Sequence, residues 1–257
     1  STAGATSGGT AVNDTNCNAG STCVIPQSLV GKYIYVVASV GDSTNYTTPA
    51  DSTDATDATT NTTQAVAKKA VSCTTSKGNH NYNGTLGDPS VSSNPGSGTV
   101  TYYRNTSNSA SGGTAWSGTT STTLAPGTYY IYATIPETTY YKGATCTQSA
   151  FTVSKGTLAV TRTNYSAQYD GSAHGVTVKV TSANWDGKTI VSGTSTSYGT
   201  TVTSNGAVNT NYTLEPKYTD YAASARTVYY KVTGGTYYED YTGTGTVTIS
   251  KKTATNS

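Results

Sequence analysis

The stretch KKAVSCTTSKGNHNYNG, residues 68–84, lies without a gap over KGTLAVTRTNYSAQYDG, residues 155–171, and sets Tyr82-Asn83-Gly84 on Tyr169-Asp170-Gly171. The offset is 87 residues. Further along, TYYKGATCTQSAFTVSK (139–155) matches TYYEDYTGTGTVTISK (236–251) with a single-residue gap, and QAVAK (64–68) falls in the slot of the FTVSK that closes at Lys155. Self-similarity at a fixed period is the mark of repeated structural units. Two complete units are read at 69–155 and 156–251, followed by a tail at 252–257. Residues 1–68 carry only the C-terminal part of a third, since GKYIYVVAS (31–39) matches GTYYIYAT (127–134) and SGGTA (7–11) recurs at 111–115.

The composition of these units predicts an all-β chain. Thr (55), Ser (30), Gly (27) and Tyr (22) dominate, against one Phe and no Met. Thr, Tyr and Val favour strands, while Gly, Asn, Asp and Ser favour turns. At 34% apolar residues and a mean hydropathy of −0.42, the chain lacks the material for a large α/β core. In the second unit, strands are expected near 157–163, 175–181, 212–218, 226–233 and 245–250. Within RTVYYKVT (226–233), Val228, Tyr230 and Val232 share one face and Thr227, Tyr229, Lys231 and Thr233 the other, so one set must be core.

Charge excludes one class of partner. With 11% charged residues and a net charge of +2, the chain has no dense cationic surface for nucleic acid. No apolar run is long enough for a membrane-spanning helix, and the N-terminus lacks the basic and apolar regions of a signal peptide. The absence of Met leads to the expectation that this is a processed or internal piece of a longer chain.

Four cysteines permit three pairings. Cys17–Cys23 and Cys73–Cys146 are the economical reading, with buried free thiols as the alternative. Chain entropy assigns roughly 2–2.5 kcal/mol to the short loop and about 4–4.5 kcal/mol to the long one. Both bridges imply an oxidising compartment.

The stretches YDGSAHGVTVKV (169–180) and RTVYYKVTGGTYYEDYTGTGTVTISKK (226–252) resemble the Ig-like repeats of large bacterial cell-surface proteins and are similar to MBG-type domains. The resemblance covers 69–251 well and 27–68 in part. It implies tandem immunoglobulin-like antiparallel β-sandwiches in an elongated, extracellular array on the bacterial cell surface, with structural rather than catalytic motifs. Three features depart from the pattern: the cysteine pairs, the polar insertion TTPADSTDATDATTNT (47–62) and the incomplete first unit.

Side chains able to carry chemistry are few. His80 and His174 occupy non-equivalent positions, no catalytic or phosphate-binding motif occurs, and the carboxylate pair Asp186 and Glu215 is the remaining candidate for acid–base work, so no enzyme and no cofactor is expected. Asp51, Asp54 and Asp57 lie three apart without the glycine that calcium loops use, so no metal is expected. Lys68, Lys69 and Lys155 sit at the unit junctions. Their closing strands carry no Asn or acid for an isopeptide cross-link, which leaves them as solvated linker lysines. Seven N-x-S/T sequons are no more than chance supplies in a chain with 17 Asn and so many hydroxyls. In each adjacent Tyr pair one ring is expected in the core and the other outside, and Trp116, Trp185, Tyr103, Tyr141 and Tyr238 are the candidate binding surface.

The expected function is a non-catalytic stalk or adhesin module that meets a protein or glycan ligand at a surface. Two alternatives stand beside it: a filament subunit that joins further copies of itself by strand complementation of the incomplete first unit, and a carbohydrate-binding accessory region of a secreted enzyme.

Overall fold

Alternating Thr, Tyr and Val with frequent Gly and Asn leaves the backbone two ways to satisfy its hydrogen bonds, strand ladders and tight turns, and both are used. The computed structural model describes residues 25–34, 65–117, 124–203 and 207–254. Among these the fold is all-β, with one short 3-10 turn at Gln27–Leu29 and no α-helix. The incomplete first unit, its insertion and the Cys17–Cys23 pairing lie largely or wholly outside the described residues.

Residues 75–154 supply β1 (Thr75–Ser76), β2 (His80–Asn81), β3 (Ser90–Val91), β4 (Thr101–Asn105), β5 (Thr114–Ala115), β6 (Gly127–Ile135), β7 (Ala144–Thr145) and β8 (Ser149–Ser154). One sheet runs β2-β8-β6-β4-β5, with β7 also on β6, and β1 pairs with β3 in a second. Residues 160–250 supply β9 (Val160–Thr163), β10 (Tyr165–Gln168), β11 (Thr177–Val180), β12 (Thr189–Gly193), β13 (Thr200–Thr203), β14 (Asn211–Thr213), β15 (Arg226–Val232) and β16 (Tyr241–Ser250). They form a five-stranded sheet, β10-β16-β15-β12-β13, and a three-stranded sheet, β14-β11-β9. Every pairing between these strands is antiparallel except β2 with β8 and β10 with β16.

The pairings keep the register of the sequence alignment. His80 opposes Val153, and the residues aligned with them, Ala167 and Ile249, oppose each other. Thr75 opposes Val91 as Arg162 opposes Val178. Ile131 opposes Ser149 as Val228 opposes Gly245. A one-residue slip would turn each strand inside out, so shared register means shared inward faces.

Those faces meet in the core. Val176, Val178 and Val180 on and beside β11 are buried in one cluster with Ile190 of β12 and Val228, Tyr230 and Val232 of β15. The alternation in RTVYYKVT therefore resolves with its Val-Tyr-Val set inside. In the first half, Ile131, Phe151 and Val153 join this cluster, and Cys73, Cys146, Ala133 and Ile135 form a smaller one. Cys73 and Cys146 are disulfide-bonded, with Cα atoms 4.7 Å apart, beside a parallel bridge between Thr74 and Thr147.

Inside this shared frame one pair of core volumes is exchanged. Tyr102 faces Ala133 across β4 and β6, whereas at the aligned positions Ser192 faces Tyr230 across β12 and β15. One large and one small side chain fill each slot, but the large one comes from opposite strands. The phenol of Tyr230 lies over Gly243, where a Cβ would approach its hydroxyl to 2.6 Å.

Strands β10, β12 and β13 lie outside those expected from alternation. YSAQ of β10 has no apolar stripe and is held by parallel backbone pairing to β16. In β12 the buried Ser192 interrupts the apolar face, and TTVT of β13 lies at the sheet edge.

Candidate functional site

Chain leaving β8 passes directly into the start of the next repeat, and the seam it crosses is built from aromatic rings. Gly156 forms a parallel bridge with Tyr238: its N–H donates to the Tyr237 carbonyl and its own carbonyl accepts from Glu239 N–H, both at 2.9 Å. A Cβ on Gly156 would come within 2.6 Å of the Tyr82 carbonyl, so glycine lets the two repeats close. The Tyr82 ring, from the turn after β2, is 4% exposed and packs between Tyr237 (centroids 4.9 Å) and Tyr238 (5.4 Å, 86°). Edge-to-face rings at this spacing attract beyond their buried area.

Polar atoms along the seam are paired. Asn184 Nδ2 donates to the Tyr82 hydroxyl at 2.8 Å, and Asn83 Nδ2 donates to the Tyr238 hydroxyl at 2.9 Å. That hydroxyl in turn donates to the Ala183 carbonyl. Burial, with the neighbouring Tyr82 phenol second, pushes the Tyr238 phenol above its ordinary pKa. Lys155 Nζ donates to the Gly235 carbonyl at 2.7 Å. Gly235 has φ +77°, and a Cβ there would strike Asp186 Oδ1, whose carboxylate accepts from Thr236 N–H at 2.9 Å. Burial alone would raise the Asp186 pKa, yet the hydrogen bonds from Thr236, its own backbone N–H and the Lys155 charge together hold the carboxyl below its usual range. Beside the seam opens a cleft of about 340 Å³, lined by Asn81, Asn83, Thr157 and Ser182 together with the rings.

The same backbone pattern recurs at the start of the preceding repeat. Lys69 bridges Tyr141 in parallel, taking the Tyr140 carbonyl and giving its own to Lys142 N–H, both at 2.9 Å. Lys68 Nζ donates to the Thr138 carbonyl at 2.8 Å and to Glu137 Oε1 at 2.7 Å. Lys68 and Lys155, aligned in the sequence, thus grip equivalent turns rather than hanging in solvent as linker lysines. Only Lys69 keeps an exposed side chain. Ile25, Pro26 and Val30 meet Tyr140 and Tyr141 around a smaller cleft of about 210 Å³.

The candidate contact rings are distributed differently. Trp185 and Tyr238 are each 3% exposed, and Trp185 Nε1 donates to the Thr233 carbonyl at 2.7 Å. Trp116 is half-buried edge-on to Phe151, with the Lys77 ammonium 5.7 Å from its ring. Tyr103 is half-buried and stacks on Tyr132 at 5.1 Å, and Tyr141 is half-buried at the upstream seam. Among the described residues the exposed rings are Tyr140, Tyr169 and Tyr221. Their positions outside the strands gave no signal, since a loop Tyr is covered or bare according to what packs on that end of the repeat.

The titratable groups are dispersed. His80 is buried beside Phe151 (6.0 Å). His174 stacks on Tyr165 at 3.8 Å and lies 2.9 Å from both oxygens of Asp170. Those contacts, with Ser172 N–H second, hold the Asp170 carboxyl below its usual range. The Asp186 carboxylate binds its own crossing turn, and Glu215 accepts from Lys217. Among the described residues no group of three or more His, Cys, Asp or Glu is gathered as a metal would require, and no helix is long and apolar enough to cross a membrane. No protein-family model matches the chain, and no curated protein matches it significantly.

Proposed function

We propose that the chain is a non-catalytic structural or adhesive module of an extracellular bacterial surface protein, built from tandem immunoglobulin-like β-sandwiches at 69–155 and 156–251. The strand orders support the sandwich reading. In the second repeat the opening segment divides between the two sheets, β9 antiparallel to β11 and β10 parallel to β16, around the core shared by β11 and β15. The Cys73–Cys146 bridge supports an oxidising compartment.

The observation that carries the proposal is the seam. Tyr82 is buried between the two rings of the next repeat, hydrogen-bonded by Asn184, and flanked by Lys155 on the Gly235 carbonyl. Linked units normally move relative to one another unless their interface is large and apolar. A sealed seam with a one-glycine crossing instead makes successive repeats a single stiff segment, as a stalk requires. Ligand contact, to a protein or glycan, falls to exposed rings such as Tyr140 and Tyr221.

Small-angle scattering on the intact chain tests this. A rod-like profile that becomes that of hinged beads in the Tyr82→Ala, Lys155→Ala double variant is the expected result. A wild-type profile already hinged at residue 156 overturns the stalk reading.

A further inference from the structure

The second repeat ends with the same equipment that the first uses to grip its successor. The alignment carries Tyr82-Asn83-Gly84 to Tyr169-Asp170-Gly171 and Lys155 to Lys251. β10 lies parallel to β16 in the register of β2 on β8, so the turn and the lysine sit at the same end of the sheet in both repeats. Their surroundings differ in one respect. Tyr82 is 4% exposed because the following repeat covers it, whereas Tyr169 is 42% exposed.

We propose that Tyr169, Asp170 and Lys251 form a docking face for a further β-repeat carrying a Thr-Tyr-Tyr turn, joined in tandem behind Lys251. This rests on the stalk reading above and names its next contact. The Tyr169 ring enters between the two turn tyrosines, and Lys251 exchanges its contact with the Tyr221 ring, 5.0 Å away, for a turn carbonyl. Asp170 replaces Asn83, so the polarity of one bond reverses: the incoming Tyr hydroxyl turns its single hydrogen to the carboxylate, away from the backbone carbonyl that takes it at Tyr238. His174 already approaches both oxygens of Asp170, but a carboxylate has lone pairs to spare. Lys252 stands where Gly156 and Lys69 stand, and Lys69 shows that a lysine makes the required parallel bridge. A second copy of this chain is not the occupant through this contact, because both of its Thr-Tyr-Tyr turns already carry their parallel backbone bridge, Tyr238 to Gly156 and Tyr141 to Lys69.

The test extends the full chain with a second copy of residues 157–251, its own Tyr169 changed to Phe so that the original ring is read alone, placed behind Lys252, and in parallel behind a Lys252→Gly form. Tyrosine nitration by tetranitromethane, read by peptide mass spectrometry, reports each ring, with Tyr140 as the exposed reference. Nitration of Tyr169 falling to the level of Tyr82 in either extended chain, and restored there by Lys251→Ala, is the expected result. Tyr169 reacting at its original rate in both forms, while hydrogen exchange shows the added copy folded, overturns the proposal. Failure of the stalk reading is distinguishable, since it appears in the unextended chain as Tyr82 reacting as fast as Tyr169.

Discussion

Tyr82 meets Tyr238 edge-on across the boundary between the two repeats, with ring centroids 5.4 Å apart. Each phenol is hydrogen-bonded by an asparagine from the other's repeat, Asn184 to Tyr82 and Asn83 to Tyr238. Removing the Tyr82 ring opens a cavity between folded units, and losses of about 2–4 kcal/mol are expected for Tyr82→Ala, as for other large-to-small changes at buried sites. Tyr82→Phe keeps the ring and removes one acceptor, at a cost of about 1 kcal/mol. Urea titrations of the intact chain should order the two variants this way, and equal effects would remove the packing argument.

The Cys73–Cys146 bridge closes a loop with a sequence separation of 73 residues. Chain entropy then assigns it about 4 kcal/mol. Under reducing conditions, or in the Cys73→Ser, Cys146→Ser double variant, the unfolding of 69–155 should fall in temperature on the order of 20 °C. The 156–251 repeat has Val160 and Thr242 at the aligned positions, so its own transition should be insensitive to reductant. Calorimetry with and without dithiothreitol separates the two.

Alkali should act through Tyr230. Burial, then the adjacent Tyr241, pushes its phenol up to about 12. A group whose pKa is raised in the folded state contributes stability that is complete below its unfolded value near 10 and is lost as pH rises towards 12. Tyr230→Phe should flatten this part of the alkaline stability curve. Denaturant midpoints between pH 9 and pH 12 measure it, and an unchanged slope in the variant counts against the assignment.

Acid should act through Asp240. Its side-chain bond with Lys231, then the Gly234 N–H, hold the carboxyl below its usual range, and Lys231 Nζ lies 2.7 Å away. Such stability is present above the unfolded pKa near 4 and is lost as pH falls through the folded value. The pair is partly exposed, so the effect is small and salt-sensitive. Asp240→Asn should remove a portion of the acid dependence below pH 4, visible in low-salt titrations and reduced at high salt.

The repeat and its register were legible in the sequence. The pairing follows the alignment of Tyr82-Asn83-Gly84 on Tyr169-Asp170-Gly171, His80 opposing Val153 as Ala167 opposes Ile249, because register follows inward faces and these are written in alternating residues. What covers the ends of a repeat was not legible. Tyr82 and Tyr169 are the same letter in the same motif, and only the neighbouring repeat makes one buried and the other bare. Tyr238 belongs to the same case, since the preceding repeat's Tyr82 covers it, whereas Trp185 is held within its own repeat by the Thr233 carbonyl. Lys155 reads as a linker charge until the Gly235 carbonyl is brought to it by the Gly235–Asp186 crossing, a long-range contact that no local pattern encodes.

Similar repeats side by side carry a hazard during folding, because a strand from one fits the register of the other. The exchanged volumes at Tyr102/Ala133 and Ser192/Tyr230 oppose that mistake. If β6 took the place of β15, Ala133 would face Ser192 across a void; in the reverse exchange, Tyr230 and Tyr102 would compete for one slot. Each error costs roughly 1–5 kcal/mol in cavity or overpacking. Rewriting the slot of the first repeat with Tyr102→Ser and Ala133→Tyr together should raise the yield of strand-exchanged species after refolding, at a cost to its own stability, because Ala133 is paired with the buried Cys146 where Tyr230 faces Gly243. The two halves of the chain are thereby kept apart as folding partners by the same slot that each fills correctly alone.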